Sequence, residues 1–412
     1  MNLEVDKNRL ISEIEQLALI SDAEAPAVTR IVFTPTDLSA RAWFLERCKE
    51  AGLAVRQDAI GNIFARWNGQ DHTGPAVATG SHIDAIPNAG KYDGVVGVLG
   101  GLEAIRALQQ SGFIPKRSIE LILFTSEEPT RFGIGCLGSR LLSGILSAGA
   151  AKQFKDKNGE SLEQIRTAAG FRGDLKTVKL STGHYQAFIE LHIEQGPLLE
   201  QKQIPLGIVS NIAAPSSFRI FIEGAGGHAG GVLMPDRRDA LCAASELILA
   251  IERQAMSSGS PDTVATVGIC EVFPGAINSI PSRVNLSLDV RDTDLRRRDS
   301  LMAAVDEACH AIASKRGISV RLELVNADAP GECAANIVET LSASCKKYGL
   351  TFLPMVSRAY HDSLFMSRIV PVGMLFIPCR NGYSHRPDEY ASPDDIARGT
   401  LVLAETLRSL AG

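Results

Sequence analysis

The sequence predicts an α/β protein in which a catalytic domain with a mainly parallel sheet carries a smaller α+β insert. Nearly all-apolar runs of strand length at 75–79 and 118–125 flank a helical pattern at 94–110, and this order forms a βαβ unit. Between 210 and 327, strand and helix patterns follow one another in the order β-α-β-β-α-β, which is typical of a ferredoxin-like domain.

The remaining elements follow from local periodicity. Helical spacing of apolar residues predicts helices at 7–20 and 38–51, and short β-prone runs predict strands at 54–56, 62–67 and 188–196. In the insert, strands are predicted at 218–222, 263–272, 284–290 and 320–325, and helices at 239–255 and 299–313. After the insert, helices at 337–348 and 394–410 flank a strand at 370–377.

A chain of 412 residues is long enough for two domains. We therefore assign residues 1–209 and 328–412 to the catalytic domain and residues 210–327 to the insert. The functional residues are expected outside the carboxyl ends of the strands, where open α/β sheets bind their ligands.

Composition excludes several classes of protein. The net charge of −5 and the lack of a long Lys/Arg block argue against a nucleic-acid binder. No apolar run has the length of a membrane span, and residues 1–7 lack the apolar segment of a signal peptide. The eight cysteines are scattered without a C-x-x-C pair, which favours reduced thiols in a cytoplasmic protein.

Histidines and carboxylates gather at the predicted strand ends. A single histidine in such a turn is more often structural than a ligand, but together these residues favour a metal site. Imidazole and carboxylate donors without cysteine suit Zn, Mn or Co, and their number suggests two ions sharing a carboxylate. Adjacent glutamates of a regular strand face opposite ways, so one of them is free to act as a base. The residues are His82, Asp93, Glu127, Glu128, His192, His228, His361 and His385.

Two other kinds of site are weaker interpretations. Residues 133–138 match G-x-G-x-x-G, but Glu127 to Phe132 separate them from the strand, and the acidic partner strand of a dinucleotide site is missing. We interpret these glycines as a tight turn and close helix packing. No G-x-S-x-G or S-x-x-K motif supports a serine nucleophile.

The motifs resemble those of the metal-dependent amidohydrolases that cleave N-carbamoyl compounds, and the resemblance covers nearly the whole chain. It implies an aminopeptidase-like, three-layer dinuclear fold with a mixed sheet and an inserted dimerisation lid. The motifs are G-S-H-I-D at 80–84, K-Y-D-G at 91–94, T-S-E-E-P-T-R-F at 125–132, E-L-H-I-E-Q-G-P at 190–197, G-H-A-G at 227–230, P-G-A-I-N-S-I-P at 274–281, D-V-R-D at 289–292 and G-Y-S-H at 382–385.

The resemblance also implies the role of each residue in the catalytic domain. It makes Glu127 the general base and Asp84 the residue that orients His82. Gln195, Tyr383 and Ser384 are implied as substrate contacts. The implied metal ligands are His82, Asp93, Glu128, His192 and His385, with Asp93 as the bridge.

The insert is implied to complete the site of a homodimer. His228 matches a histidine that reaches into the partner subunit and stabilises the oxyanion. Asn278 and Arg291 match residues that hold the substrate carboxylate, for which a planar guanidinium is well suited. The alternatives are an ion pair of Arg291 with Asp289 or Asp292, and a structural turn for His228.

Two departures from the commoner carbamoylase motifs resemble ureidoglycolate amidohydrolases: 228–235 reads H-A-G-G-V-L-M-P and 357–362 reads S-R-A-Y-H-D. We therefore expect a cytoplasmic, manganese-preferring enzyme in which a hydroxide held between two metals attacks the carbamoyl carbon of (S)-ureidoglycolate, giving glyoxylate, ammonia and CO2. The alternatives are N-carbamoyl-L-amino acid or allantoate hydrolysis and, from a different class, a catalytically silent binding protein.

Overall fold

The computed structural model describes residues 3–412. Its helices are α1 (Lys7–Ala18), α2 (Pro35–Glu50), α3 (Val95–Gln110), α4 (Leu137–Ser143), α5 (Ala148–Ala151), α6 (Leu162–Ala168), α7 (Leu198–Lys202), α8 (Ala240–Met256), α9 (Leu295–Arg316), α10 (Ala335–Lys347), α11 (Asp362–Met366) and α12 (Pro393–Ala411). Within residues 3–412, no helix combines the length and the apolar character that crossing a membrane requires.

The strands are β1 (Val28–Arg30), β2 (Ala54–Gln57), β3 (Ile63–Trp67), β4 (Ala76–Ser81), β5 (Ala85–Ala89), β6 (Ile119–Leu123), β7 (Tyr185–Ile193), β8 (Gly207–Ile212), β9 (Ala214–Glu223), β10 (Gly227–His228), β11 (Val264–Phe273), β12 (Ser279–Ile280), β13 (Arg283–Asp292), β14 (Ser319–Ala327), β15 (Gly331–Glu332), β16 (Leu353–Ser357) and β17 (Val372–Ile377).

The described chain divides into two compact units. Unit 1 comprises the chain up to Ser210, Glu332–Ser357 and His361–Gly412, and unit 2 comprises Asn211–Gly331 and Arg358–Tyr360. The short segment Arg358–Tyr360 lies outside the insert proposed from the sequence, since no local pattern separates it from its neighbours. The lid and dimerisation roles of residues 210–327 stay predictions.

The main sheet of unit 1 is mixed. Its strand order is β15-β8-β17-β7-β4-β6-β3-β2, and β16 pairs with β8. The four central strands, β17, β7, β4 and β6, run parallel to one another, whereas β8, β3 and β2 pair antiparallel. The predicted α/β class is therefore confirmed, and the parallel core places the carboxyl ends of four strands at one edge.

Helices cover both faces of this sheet, as the alternation of side chains along β7 shows. Ile189 and Leu191 join the large apolar cluster that includes residues of α3 and α12. Glu190 faces the other way and accepts hydrogen bonds from the backbone nitrogen and hydroxyl of Ser363 on α11. Because both faces are covered, the central strands are almost entirely buried, as the sequence indicated.

Capping residues explain where two helices begin. The Thr34 hydroxyl accepts a hydrogen bond from the backbone of Asp37, and Pro35 occupies the first turn of α2. Ser392 and Pro393 begin α12 in the same way. Proline fits the first turn because the backbone donor that it lacks would have no partner there. The predicted start of α2 at residue 38 was therefore one turn late.

Unit 2 contains an antiparallel sheet of four strands in the order β11-β13-β9-β14. The chain order β9-α8-β11-β13-α9-β14 is the predicted β-α-β-β-α-β pattern. Apolar residues on one face of the sheet pack with α8 and α9 in a separate core, which includes Leu247, Leu286 and Val305. Unit 2 therefore has its own hydrophobic core.

Candidate metal centre

The central strands bring the predicted ligands to one edge of the unit 1 sheet. The carboxyl ends of parallel strands meet at the same edge, so residues far apart in sequence become neighbours. They are His82 and Asp93 after β4, Glu127 and Glu128 after β6, His192 near the end of β7, and His385 after β17.

One group of possible ligands consists of His82, Asp93 and His192. Asp93 Oδ1 lies 3.5 Å from His82 Nε2 and 3.2 Å from His192 Nε2. The other ring nitrogens face backbone carbonyl oxygens, with His82 Nδ1 3.0 Å from Asp84 O and His192 Nδ1 2.9 Å from Ile193 O. These contacts make Nδ1 the donor, so each Nε2 atom keeps the lone pair that a metal ligand needs.

A second group consists of Asp93, Glu128 and His385. His385 Nε2 lies 3.2 Å from Asp93 Oδ2 and 3.1 Å from Glu128 Oε1. Asp93 therefore turns one carboxylate oxygen towards each group. This is the arrangement that a bridging carboxylate requires, and it agrees with the bridging role implied by the resemblance.

The donor set fits divalent metal ions. Ligand atoms about 2.1 Å from a tetrahedral ion lie roughly 3.4 Å from one another, and the separations above are close to that value. Imidazole nitrogen and carboxylate oxygen are the donors that zinc and manganese accept. The five side chains are thus suitable ligands, and their assignment as ligands stays a prediction.

The charges of the cluster also favour cations. Burial opposes ionisation of Asp93, but contacts with His192, His385 and His82 outweigh it and hold the pKa of Asp93 well below its usual value. Hydrogen bonds to Asp93 and Glu128 raise the pKa of His385 to about 11. The carboxylates of the cluster therefore stabilise positive charge on the neighbouring histidines, as they would on a bound cation.

The carboxylate of Asp84 has two backbone partners. Its carboxylate accepts hydrogen bonds from the backbone nitrogens of Glu127 (3.2 Å) and Glu128 (3.0 Å). Asp84 Oδ1 is 3.7 Å from His82 Nδ1, whereas the backbone oxygen of Asp84 is only 3.0 Å away. The backbone oxygen of residue 84 is thus the nearer partner of His82, and the side chain anchors the two glutamates. The predicted role of the Asp84 side chain in orienting His82 stays a prediction.

Glu127 is buried beside the first group, with Oε2 3.7 Å from His82 Nε2. Burial, together with the charges of Glu128, Asp362 and Asp93, raises the pKa of Glu127 well above its usual value. A carboxyl with a raised pKa is suited to accept and return a proton near neutral pH. This setting fits the predicted general base.

Gln195 and Ser384 contact the bridging carboxylate itself. Gln195 Nε2 and Ser384 Oγ each lie 2.6 Å from Asp93 Oδ2. Both residues therefore orient Asp93, while their predicted contact with substrate stays a prediction. Tyr383 stacks against the guanidinium of Arg386, which lies 3.8 Å from the ring centroid.

Glu389 is a structural partner of the site that no sequence motif predicted. Its Oε1 accepts hydrogen bonds from the backbone nitrogens of Tyr92 (2.8 Å) and Asp93 (3.1 Å), and its Oε2 lies 3.0 Å from Ser384 Oγ. Glu389 lies four residues after His385, so it links the segment of the last ligand to the bridge. Its proximity to the G-Y-S-H motif was the only available signal.

His361 belongs to a neighbouring hydrogen-bonded network. Its ring packs against His192 with centroids 4.4 Å apart, and its Nε2 lies 3.1 Å from Ser357 Oγ. Glu190 is close to both histidines, but its oxygens accept hydrogen bonds from Ser81 and Ser363. We therefore interpret His361 as support for His192.

Two glycines permit close approaches at this edge. Gly94 has φ +65°, and a Cβ there would lie 2.5 Å from the His82 ring. A Cβ at Gly138 would lie 2.2 Å from Asn62 Oδ1 and 2.7 Å from the backbone nitrogen of Thr125. Gly138 belongs to the G-x-G-x-x-G run, and this contact supports the packing interpretation of that motif.

The candidate residues of unit 2 occupy two strands and an exposed loop. His228 lies in β10, which pairs with β12, and Ala229 N donates to Asn278 O at 2.8 Å. The structure thus brings the predicted residues His228 and Asn278 together within unit 2. The His228 Nδ1 atom accepts a hydrogen bond from Gly230 N at 3.1 Å.

Arg291 forms the ion pair that was one of its alternatives. Its Nε lies 2.7 Å from Asp289 Oδ1, and its guanidinium carbon lies 5.8 Å from the centroid of the Tyr360 ring. Asp289 engages Nε, and Nη1 also approaches Arg358 O at 3.5 Å. The ion pair holds the guanidinium in place, and the predicted carboxylate contact stays a prediction.

Comparisons with known proteins identify the relatives of this chain. Residues 78–409 match the model of peptidase family M20/M25/M40. The ureidoglycolate hydrolase of Arabidopsis thaliana is 51% identical over 99% of this chain and 87% of that protein. An N-carbamoyl-L-amino-acid amidohydrolase of a Pseudomonas species is 38% identical over 98% of both chains.

A solved structure shows the same relationship. The crystal structure of AtUAH in complex with (S)-hydroxyglycine is 50% identical, covers 100% of this chain and 99% of that chain, and superposes with a TM-score of 0.91. The predicted resemblance to metal-dependent amidohydrolases is confirmed. The chain belongs to peptidase family M20/M25/M40.

Proposed function

We propose that this protein hydrolyses the carbamoyl group of (S)-ureidoglycolate. The observation that carries the proposal is the 51% identity to a ureidoglycolate hydrolase along 99% of the chain, against 38% to an N-carbamoyl-L-amino-acid amidohydrolase. The expected enzyme class, a hydrolase of linear amide C–N bonds, is confirmed by these relatives and by the family.

Two divalent ions are part of this proposal, with manganese as the preferred metal. His82, Asp93 and His192 would hold one ion, and Asp93, Glu128 and His385 would hold the other. Bound there, the ions would supply Lewis-acid polarisation of the carbamoyl oxygen and would lower the pKa of a water molecule.

Glu127 is the proton carrier in the proposed reaction. Its Oε2 lies 3.7 Å from His82 Nε2, so Glu127 is placed to reach a water that binds at the proposed metal site. Glu127 takes a proton from this water as the water attacks the carbamoyl carbon, and gives it to the nitrogen that leaves. Burial supports both steps, because it keeps the pKa of the carboxyl raised between them.

Residues of unit 2 are proposed to recognise the substrate. The guanidinium of Arg291 and the amide of Asn278 would bind the substrate carboxylate, and His228 of the partner subunit would stabilise the developing oxyanion. This requires a homodimer formed through residues 210–327. Analytical ultracentrifugation tests the dimer, and a monomer with full activity would refute the role of His228.

The products follow from the bonds that break. Addition of one water releases the carbamoyl group as ammonia and CO2 and leaves (S)-hydroxyglycine. Loss of the amine from this compound as a second ammonia gives glyoxylate. The proposal therefore predicts two molecules of ammonia for each glyoxylate.

A substrate panel tests the function directly. Ammonia release is measured from (S)-ureidoglycolate, an N-carbamoyl-L-amino acid and allantoate, with the enzyme reconstituted separately with Mn and Zn. We expect the highest kcat/KM with (S)-ureidoglycolate and the Mn enzyme. A higher kcat/KM for either other substrate would replace the proposed activity with that one.

The substitution Glu127→Gln tests the base. Because general acid–base catalysis contributes about 10²–10⁴-fold, kcat should fall by that order while the metal content stays unchanged. Glu128→Gln is the matched control and should lose metal as well as activity. Unchanged turnover in Glu127→Gln would refute the assigned base.

We also propose that the enzyme acts in the cytoplasm. All eight cysteines are free thiols in the structure, which agrees with a reducing compartment. Fractionation of cells that express the tagged protein is the test, and recovery of the protein in an oxidising compartment would refute this assignment.

A further inference from the structure

The two oxygens of the Glu127 carboxylate have different surroundings. Oε2 lies 3.7 Å from His82 Nε2, on the side of the metal ligands. Oε1 lies 3.3 Å from Cys136 Sγ, which is within hydrogen-bond distance for a thiol. The roles assigned above use Glu127 but give Cys136 no function.

The backbone holds Cys136 against Glu127. Cys136 precedes α4 with φ 56°, a left-handed conformation that is uncommon for residues other than glycine. Its backbone nitrogen donates to Glu127 O at 2.7 Å, and Leu137 N donates to Ser126 O at 2.9 Å. The same residue therefore contacts both the backbone and the carboxylate of Glu127.

The thiol of Cys136 is a donor in this contact. Burial, reinforced by the charge of Glu127, raises the pKa of the Cys136 thiol well above its ordinary value. The group therefore stays protonated at neutral pH, and its S–H is available to donate a hydrogen bond. A carboxylate oxygen at 3.3 Å is an acceptor for this bond.

We propose that Cys136 is a positioning residue for the general base, whose thiol holds Glu127 Oε1 and so leaves Oε2 facing the metal ligands. The inference rests on the proposed function in one respect, the role of Glu127 as base. A rotated carboxylate would present neither oxygen in the productive direction, so loss of the thiol should slow turnover without weakening substrate binding.

The variants Cys136→Ala and Cys136→Ser test this role. Alanine removes the donor, whereas serine keeps a hydroxyl donor in the same place. Cys48→Ala is the matched control, because Cys48 is a fully buried thiol of α2 within the main apolar cluster. All variants are compared as metal-reconstituted full-length enzyme with measured metal content.

We expect Cys136→Ala to lower kcat by about three- to tenfold with KM unchanged, which corresponds to the net contribution of one hydrogen bond. Cys136→Ser should recover most of the lost kcat, and Cys48→Ala should leave kcat unchanged. Equal kcat in Cys136→Ala and the wild type would overturn the proposal, and so would a loss in Cys136→Ala that serine does not recover.

Infrared difference spectroscopy tests the contact without using activity. The S–H stretching band moves to lower frequency when the thiol donates a hydrogen bond. The wild type minus Cys136→Ala spectrum should show a lowered band, and Glu127→Gln should shift this band. A band that Glu127→Gln leaves in place would overturn the proposal. If Cys136→Ala fails to fold, the wild type minus Cys136→Ser spectrum assigns the band, because serine also removes the S–H group.

The kcat values and the S–H stretching band together separate this inference from the proposed function. An active Glu127→Gln enzyme would remove Glu127 from its role as base and would overturn the catalytic part of the inference. The shift of the S–H band would still report whether Cys136 holds the carboxylate. If Glu127→Gln is inactive but does not shift the S–H band, the inference about Cys136 is overturned and the proposed function stands.

Discussion

The substitution Asp84→Asn distinguishes two ways in which this buried carboxylate could support the metal centre. The resemblance implies that it orients His82, but the structure shows that it accepts hydrogen bonds from the backbones of Glu127 and Glu128. His82 Nδ1 faces the backbone oxygen of residue 84, which the substitution leaves in place. We therefore expect Asp84→Asn to weaken metal binding by displacing Glu128, rather than by displacing His82.

The magnitude follows from the hydrogen bonds lost. An asparagine at position 84 keeps one acceptor oxygen but turns an amide donor towards the second backbone nitrogen. A buried donor left without an acceptor costs about 1–3 kcal/mol. Since about 1.4 kcal/mol is a factor of ten, the affinity of the group that contains Glu128 should fall by about ten- to a hundredfold.

Anomalous diffraction from crystals of the Mn-loaded variant measures the occupancy of each position separately. We expect the position near Glu128 and His385 to lose occupancy at limiting Mn, while the position near His82 and His192 keeps it. Isothermal titration of the metal-free enzyme gives the affinities. Preferential loss at the His82 position would refute this reasoning and restore the implied role of Asp84.

Three further predictions concern the bridge, its support and a distant carboxyl. Asp93→Ala removes the carboxylate shared by both groups, so the dialysed variant should retain no Mn by mass spectrometry, whereas Glu128→Gln should retain about half of the wild-type content. Glu389→Ala leaves two backbone donors without an acceptor and should weaken Mn binding in titrations, and Glu389→Gln should recover it because Oε1 is kept. Burial raises the pKa of Asp58 from its ordinary 3.8 to about 6. The folded state then binds a proton more tightly than the unfolded state does. Asp58 therefore contributes up to about 3 kcal/mol to the free energy of unfolding, fully below pH 3.8, and this contribution is lost as pH rises through about 6. Asp58→Asn should remove this pH dependence in urea unfolding curves. An equal pH dependence of the free energy of unfolding in the wild type and Asp58→Asn would contradict this prediction.

Much of the fold could be predicted because its signals are local. The apolar run predicted at 75–79 became β4, and the helix predicted at 94–110 became α3 with a start only one residue later. The strands β1 and β5 were missed, because each is short and pairs only with the other, so neither carries a long apolar pattern. The segment Arg358–Tyr360 was missed for another reason, since its association with unit 2 depends on tertiary contacts.

The residues of the candidate site could be predicted in kind but not in all their contacts. Strand-end histidines and carboxylates are visible in the sequence, and the topology of a parallel sheet brings them together. Glu389 and Cys136 carry no such signal, since their contacts depend on how loops fold back on the sheet. The alternative of an ion pair between Arg291 and Asp289 was visible in the sequence, and the structure contains it.

The different orientations of Glu127 and Glu128, on which their predicted roles depend, have a different cause from the one that the sequence suggested. Alternation along a strand would send adjacent side chains in opposite directions, but β6 ends at Leu123, before both glutamates. Ser126 has φ 57°, which turns the chain out of the strand just before them. Asp84 then binds both backbone nitrogens, so one carboxylate fixes the direction of two side chains. The separate roles predicted for the two glutamates therefore depend on this turn and its anchor, and a substitution at residue 84 should disturb the predicted base and the predicted ligand together.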